Sequence, residues 1–340
     1  MIASQSRIWT PLDFERDGKF VDYLRLPHST DRSAYGCIQI PIVCIKNAIG
    51  PTALLIAGNH GDEYEGQIAL MNLARRLTPR EISGRVIVLP SANFPAVKAA
   101  RRVSPVDAGN LNRSFPGSAT GTPTEMIAHY ISTVLLPMSD IAIDLHSGGL
   151  SLDYVRCAII RPGRTSEEHQ ELLELLRVFG APISFVDSSQ GGGGGGGATT
   201  LNAVARSLGV PTITTELGGG ATVSPAGVQL AEHGITRVLK HIGIAPNLAG
   251  EERAGTEFMD YAGRDSSIYA DADGIFEPAA LVGQEVFEGD LAGRLYYIDD
   301  PTREPMELRF RKSGRVECRR FPSLTARGDC LYTLMLPTVV

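Results

Sequence analysis

Along the first two-thirds of the chain the apolar positions switch between two periods. Short runs rich in apolar and β-branched residues stand at "CIQIPIVCIKN" (37–47), "ALLIAGN" (53–59), "RVIVLPSAN" (85–93), "IAIDLHS" (141–147), "CAIIRP" (157–162) and "VPTITTEL" (210–217), and they predict strands. Between them the apolar residues recur at steps of three and four, which predicts helices over 63–77, 123–136, 166–180 and 224–243. Pro123 with Glu125 marks a first helical turn, and Ser166 with two following acids and a closing Gly180 marks a capped helix. Strands alternating with helices predict an α/β layer fold, and the apolar continuity of the strands predicts a sheet covered on both faces.

The pattern changes at "IAPNLAGEERAGTEF" (244–258), a polar stretch containing Gly and Pro. Beyond it no helical period is visible. "GIFEPAALVGQEVFEGDLAGRLYYI" (274–298) reads as short strands separated by Gly turns, part of a small all-β module. The expected division is 1–245 for an α/β domain, whose first ~45 residues are extended strands, and 252–340 for a β domain. The run Gly191–Gly197 reads as a flexible surface loop or as a mobile loop at the mouth of a site.

Composition narrows the class. The 340 residues are 43% hydrophobic and 21% charged, with a net charge of -6 and no basic block. This argues for a globular protein and against a nucleic-acid partner. No apolar stretch is long enough for a membrane span and the first twenty residues lack the apolar core of a signal peptide, so a cytoplasmic location is expected. Five scattered cysteines without a CxxC pair point to reduced, mostly buried thiols. The oligomeric state is left open, a homo-oligomer included.

Four fragments carry candidate chemistry. In "LLIAGNHGDEYEGQ" (54–67), His60 and Glu63 follow a buried strand three residues apart, on one side of a turn. Sites in open α/β sheets form at the carboxyl ends of strands, where a His and a Glu can chelate a divalent cation. The plainer reading is a solvated His beside acids at a helix N-terminus. "IAIDLHSGG" puts His146 at the end of a second buried strand, and a third ligand there completes the two-His, one-Glu set of a catalytic zinc. Asp144 could orient a ligand histidine, although strand alternation puts it on the same face as His146, so its partner could be another neighbour. In "ITTELGGG", Glu216 ends an apolar run, costly if buried alone and sensible as a general base toward water. "RRVSPVDAGNLNRSFPG" (101–117) is a turn-rich loop holding Arg101, Arg102, Asn112 and Arg113, suited to a substrate carboxylate.

The ordered set "GNHGDEYEG", "NLNRSFPG", "DLHSGG" and "TTELGGG" resembles the succinylglutamate desuccinylase/aspartoacylase family of zinc deacylases, and the likeness covers nearly the whole chain. The resemblance implies a carboxypeptidase-A-like mixed sheet flanked by helices, with a C-terminal β domain. It implies one Zn2+ per chain on His60, Glu63 and His146, Glu216 as base and then acid, and Asn112 and Arg113 on the substrate α-carboxylate. It assigns Arg102, or in its place Arg101, to polarising the scissile carbonyl. Asn110 stands where many relatives have Asp. The implied partner is a small N-acyl amino acid. A closer likeness within the family is to its members that deacetylate N-α-acetyl-L-2,4-diaminobutyrate in ectoine breakdown. An amine-tipped substrate would want an acid, with Asp153 as one candidate, and Tyr154 and Arg156 are further candidates for reading the side chain. The competing expectations are desuccinylase or aspartoacylase activity on another N-acyl amino acid, and a metal-free binding protein on the same scaffold. "GIFEP" also resembles a lipoyl-type hammerhead, but without a Lys at a hairpin tip that argues against a carrier role.

Overall fold

The structure is a computed structural model and describes residues 6–188, 197–251 and 255–340. Most of the Gly191–Gly197 run, and the centre of the 244–258 stretch, lie outside the described residues.

The α/β part holds strands β1 (Gly18–Pro27), β2 (Cys37–Asn47), β3 (Thr52–Ala57), β4 (Gly84–Leu89), β5 (Ile141–His146), β6 (Leu152–Tyr154), β7 (Cys157–Ile160), β8 (Ile183–Val186) and β9 (Thr212–Glu216). Its helices are α1 (Glu65–Arg76), α2 (Phe94–Ala99), α3 (Pro123–Tyr130), α4 (Ser166–Phe179), α5 (Leu201–Ser207) and α6 (Pro225–His241). The predicted strands and the four predicted helices all form. The capping residue before α4 is Thr165, not Ser166: its hydroxyl accepts from the Glu168 N–H, and the chain is still extended at Thr165. The helix predicted over 123–136 begins with a Thr122–Glu125 capping box, widens after Tyr130 into a π turn and then tightens into a 3-10 turn ending at Met138. The short helices α2 and α5 have too few turns to show a period in the sequence.

Alternation along the central strands sorts side chains onto two apolar layers. Ala53, Leu55, Val86, Val88, Ile143 and Leu145 face a core shared with α1, α4 and α6. Leu54, Ile56, Ile87, Leu89 and Ala142 face the opposite core, shared with α3 and α5. Both faces are covered, as a continuous apolar strand demands. Asp144 and His146 belong to the second face by alternation, so the polar end of β5 opens on the α5 side.

The sheet does not stop at the α/β part. Its order is β1-β2-β4-β3-β5-β9-β7-β8-β10-β18-β16-β13, where β10 (Glu257–Tyr261), β13 (Glu285–Val286), β16 (Gly314–Arg320) and β18 (Cys330–Pro337) come from the C-terminal third. β10 runs parallel to β8, and β16 pairs antiparallel with β6. Since β6 and β7 are consecutive pieces of one run, pairing from β7 through β8, β10, β18 and β16 returns to its starting segment. The sheet there curls round a small apolar cluster of Cys157, Ile183, Phe185, Met259 and Met335. β15 (Met306–Arg309), β14 (Leu291–Tyr296), β12 (Gly274–Pro278) and β17 (Leu324–Thr325) form a second sheet in that order, β11 (Ser267–Tyr269) pairs with β18, and this part has a core containing Phe276, Phe310 and Tyr332.

Candidate metal centre

At the end of β3 the chain must turn sharply. Gly58 takes a left-handed φ of 71°, and a Cβ there would lie 2.9 Å from the Cα of Ser91. A Cβ on Gly61 would lie 2.0 Å from the Ala96 carbonyl oxygen, so the loop passes against the end of α2. Between these constraints His60 and Glu63 flank a turn, and α1 begins only at Glu65.

His146, at the end of β5, meets them. His60 Nδ1 lies 2.6 Å from Glu63 Oε1, and His146 Nδ1 lies 2.8 Å from Glu63 Oε2. Ligand atoms of the three residues fall within 4.8 Å of one another, and all three are buried. The nitrogens facing away are held as well. His60 Nε2 is 3.1 Å from Asn110 Oδ1, and His146 Nε2 is 3.0 Å from Asp144 Oδ2. Asn59 donates to the other Asp144 oxygen at 2.7 Å. An oxygen acceptor on the far nitrogen takes the N–H there and would leave Nδ1 to a bound metal ion, the arrangement usual behind metal-binding imidazoles. The amide oxygen of Asn110 therefore does the orienting that an Asp would do. Asp144 does pair with the histidine two residues on, despite both lying on one strand face.

The electrostatics follow from this wiring. Burial lowers the His60 pKa, and Glu63 only partly offsets it. Burial acts the same way on His146, but the charges of Asp144 and Glu63 together outweigh it and hold that pKa well above the usual imidazole range. Burial would raise the Glu63 carboxyl, yet the two imidazoles hold it well below the usual carboxylate range.

Glu216 sits beside this group, next to His146 in the β5–β9 register. Its Oε2 is buried and without a hydrogen-bond partner among the described residues. Burial, then the charge of Glu63, push its carboxyl well up. Loop 101–117 reaches the same place from the other side. Arg102 Nη1 lies 3.3 Å from His60 Nδ1 and 3.6 Å from Glu63 Oε1. Arg101 instead contributes backbone, its carbonyl accepting from Gly61 N–H at 2.8 Å. Asn112 Nδ2 is 3.3 Å from His146 Nε2, while its Oδ1 accepts from Leu201 N–H at 3.0 Å, tying the loop to the start of α5. Arg113 is half-buried and donates to the Asn112 carbonyl at 2.8 Å; burial, then Arg102, lower its pKa.

The side-chain readers suggested by the sequence are spread out. Asp153 is half-buried on β6, opposite Arg319 in the register. Arg156 is exposed, 3.5 Å from the Ser224 hydroxyl. Tyr154 stands opposite Cys318, its pKa raised well above the usual by burial, Cys318, Glu216 and Glu317 in that order. Sequence reasoning missed Asn59, although its place next to His60 was the available signal.

Residues 49–242 match the succinylglutamate desuccinylase/aspartoacylase catalytic domain. The chain is 40% identical over 332 residues to an N-alpha-acetyl-L-2,4-diaminobutyric acid deacetylase of Halomonas elongata, covering 97% of this chain and 95% of that one. Among solved structures, the product-bound ectoine utilization protein EutE (DoeB) of Ruegeria pomeroyi superposes with a TM-score of 0.92 at 39% identity, over 98% of this chain and 99% of that one. A succinylglutamate desuccinylase/aspartoacylase of Rhodobacter sphaeroides also gives a TM-score of 0.92, at 38% identity over 98% and 100%.

Proposed function

The chain belongs to the succinylglutamate desuccinylase/aspartoacylase family, and from that premise we propose that it hydrolyses the acetyl amide of N-α-acetyl-L-2,4-diaminobutyrate, giving acetate and the free diamino acid. It is a deacylase of N-acyl amino acids. The carrying observation is the buried trio His60, Glu63 and His146 with Glu216 beside it, in a chain so similar to a deacetylase along its whole length.

The donor set fits zinc: two imidazole nitrogens and a carboxylate, both imidazoles oriented from behind, and an unpartnered carboxylate oxygen of Glu216 alongside. One zinc per chain on His60, Glu63 and His146 would lower the pKa of a water and polarise the acyl oxygen. Glu216 takes the proton from the attacking water and hands it to the leaving amide nitrogen. Burial and the neighbouring Glu63 charge favour the protonated form that delivers the proton, and the positive charge of a bound zinc would favour the carboxylate that takes it. Arg102 donates to the acyl oxygen as negative charge gathers there, the step where fixed donors contribute most. Asn112 and Arg113 grip the α-carboxylate, so that binding energy goes into placing the amide.

Among the described residues no helix is long and apolar enough to cross a membrane. Five free cysteines fit a cytoplasmic site of action. The test is a comparison of kcat/KM on N-α-acetyl-2,4-diaminobutyrate, N-acetylaspartate and N-succinylglutamate with metal-replete protein. The first is expected to be best. Preference for either of the others would overturn this substrate and leave the deacylase activity standing.

A further inference from the structure

We infer that Glu317, delivered by the C-terminal strands, reads the substrate's side chain and takes a primary ammonium at the end of a short alkyl chain. The inference rests on the substrate reading above and deepens it.

Glu317 is 9% exposed, yet its carboxylate makes no hydrogen bond or ion pair among the described residues. Unlike Glu216 Oε2, its oxygens are not fully enclosed, so a nearly covered carboxylate without a partner among the described residues keeps an opening through which a ligand can supply one. Its placement is specific. In β16, Val316 pairs with Leu334 and Cys318 with Thr333, so Glu317 is the extra residue of a β-bulge. Bulges re-aim a side chain and recur beside active sites. The Glu317 carbonyl accepts from Val155 N–H at 2.9 Å, which ties the bulge to the run joining β6 and β7. On that run Cys157 lies opposite Glu216 in one register and opposite Ile183 in the other. Glu216, Cys157, Ile183, Phe185 and Asp187 therefore share one face by alternation, and the curl of the sheet brings β16 round to it.

The charges nearby agree with a shared space. Glu317 acts electrostatically on Glu216, Tyr154 and Cys157, and Asp187 acts on Glu317. Burial, then Asp187, push the Glu317 carboxyl up to about 8. Of the cationic groups nearby, Arg102 and Arg113 belong to loop 101–117 on the metal side, and Arg161 stands 3.9 Å from Asp187 and so is held by that carboxylate. An acylated amino acid with its α-carboxylate at Arg113 and its amide by Glu216 meets acid on the remaining side, at Glu317 with Asp187 behind it. Ile159, half-buried against the cluster of Cys157 and Phe185, offers the apolar surface that a short alkyl stem needs. An ammonium there gives Glu317 its missing partner and returns it to the charged form.

The test compares N-α-acetyl-2,4-diaminobutyrate with N-acetylnorvaline, which replaces the ammonium by a methyl group of similar size. Wild-type enzyme is expected to prefer the ammonium substrate. Glu317→Gln should lower kcat/KM for it roughly 10–100-fold, mostly through KM, the loss expected for a charged hydrogen bond, with N-acetylnorvaline changed less than about threefold. Calorimetry should show the same split between the products 2,4-diaminobutyrate and norvaline. If Glu317→Gln does not fold, Glu317→Met removes the charge at similar volume and should invert the preference. A wild-type preference that survives the loss of charge, or an equal fall on both substrates, overturns the role of Glu317 and leaves the substrate reading intact. Absence of any wild-type preference for the ammonium overturns the substrate reading, and this inference with it.

Discussion

Glu63 and Glu317 are both buried carboxylates, but one belongs to the strand-end cluster and the other to the curled C-terminal strands. Glu63 has an imidazole nitrogen on each oxygen and the Ser147 N–H at 3.2 Å, and these neighbours hold its pKa down against the effect of burial. Glu317 makes no hydrogen bond or ion pair among the described residues, and burial, then Asp187, push its pKa up to about 8. A buried charge that the fold itself satisfies is a fixed part of the machinery. A nearly covered one that lacks a partner among the described residues is where, by the inference above, a ligand supplies it.

The contrast can be broken most forcefully at the first region. His60→Ala or His146→Ala strips Glu63 of a partner and the proposed zinc of a ligand. Both variants should lose bound metal by elemental analysis and show no hydrolysis, and full zinc occupancy in either would remove the basis of the metal centre. Glu216→Gln keeps the shape and removes the proton acceptor. With metal content unchanged, its kcat should fall about 10²–10⁴-fold, the usual worth of general acid–base catalysis. Activity near wild type would reject Glu216 as the base. One step further out, Asp144→Asn weakens the acceptor behind His146, and zinc affinity measured by chelator competition should fall about 10–100-fold. An unchanged affinity would mean that the Asp144–His146 pair does not tune the ligand.

Smaller effects sharpen the other side of the comparison. Arg113→Lys keeps the charge and loses the two-pronged contact, so KM should rise roughly tenfold while kcat holds. Substrates with the α-carboxylate converted to an amide should behave as the variant does, and equal use of acid and amide would remove Arg113 from the α-carboxylate. The mildest perturbation is a nick. We propose that the catalytic domain ends near 245 and the C-terminal domain starts near 252, so limited proteolysis should cut between 244 and 258. The nicked halves should stay together, because β10 and β18 continue the main sheet. Separation of the halves without denaturant would show that this pairing contributes little.

These regions also differ in how far the sequence reveals them. Strand and helix alternation, the covered sheet and the turn that puts His60 and Glu63 on one side were all visible, because each depends on residues within a few positions of one another. So was the capping signal at Pro123 and Glu125, whose partner proved to be Thr122. His146, Glu216, Asn112 and Arg113 stood out in their own fragments, and the motif resemblance joined them into one site, although no local pattern states the distances between them. The choice of Arg102 over Arg101 as the side chain facing His60 was not legible, since adjacent loop residues carry no period that says which points inward.

What the sequence determined by itself was therefore the set of elements and the identity of the residues at their ends. Tertiary structure alone decided that Asn110 stands behind His60, that Asp144 pairs with His146, and that Glu317 falls on a bulge of β16. The reason is physical. Periodicity and capping are short-range energies written into neighbouring residues. The meeting of β6 with β16 joins segments more than a hundred residues apart through backbone hydrogen bonds, and those bonds are the same whatever the side chains. Only when that ladder closes does a bulge at Glu317 acquire a direction.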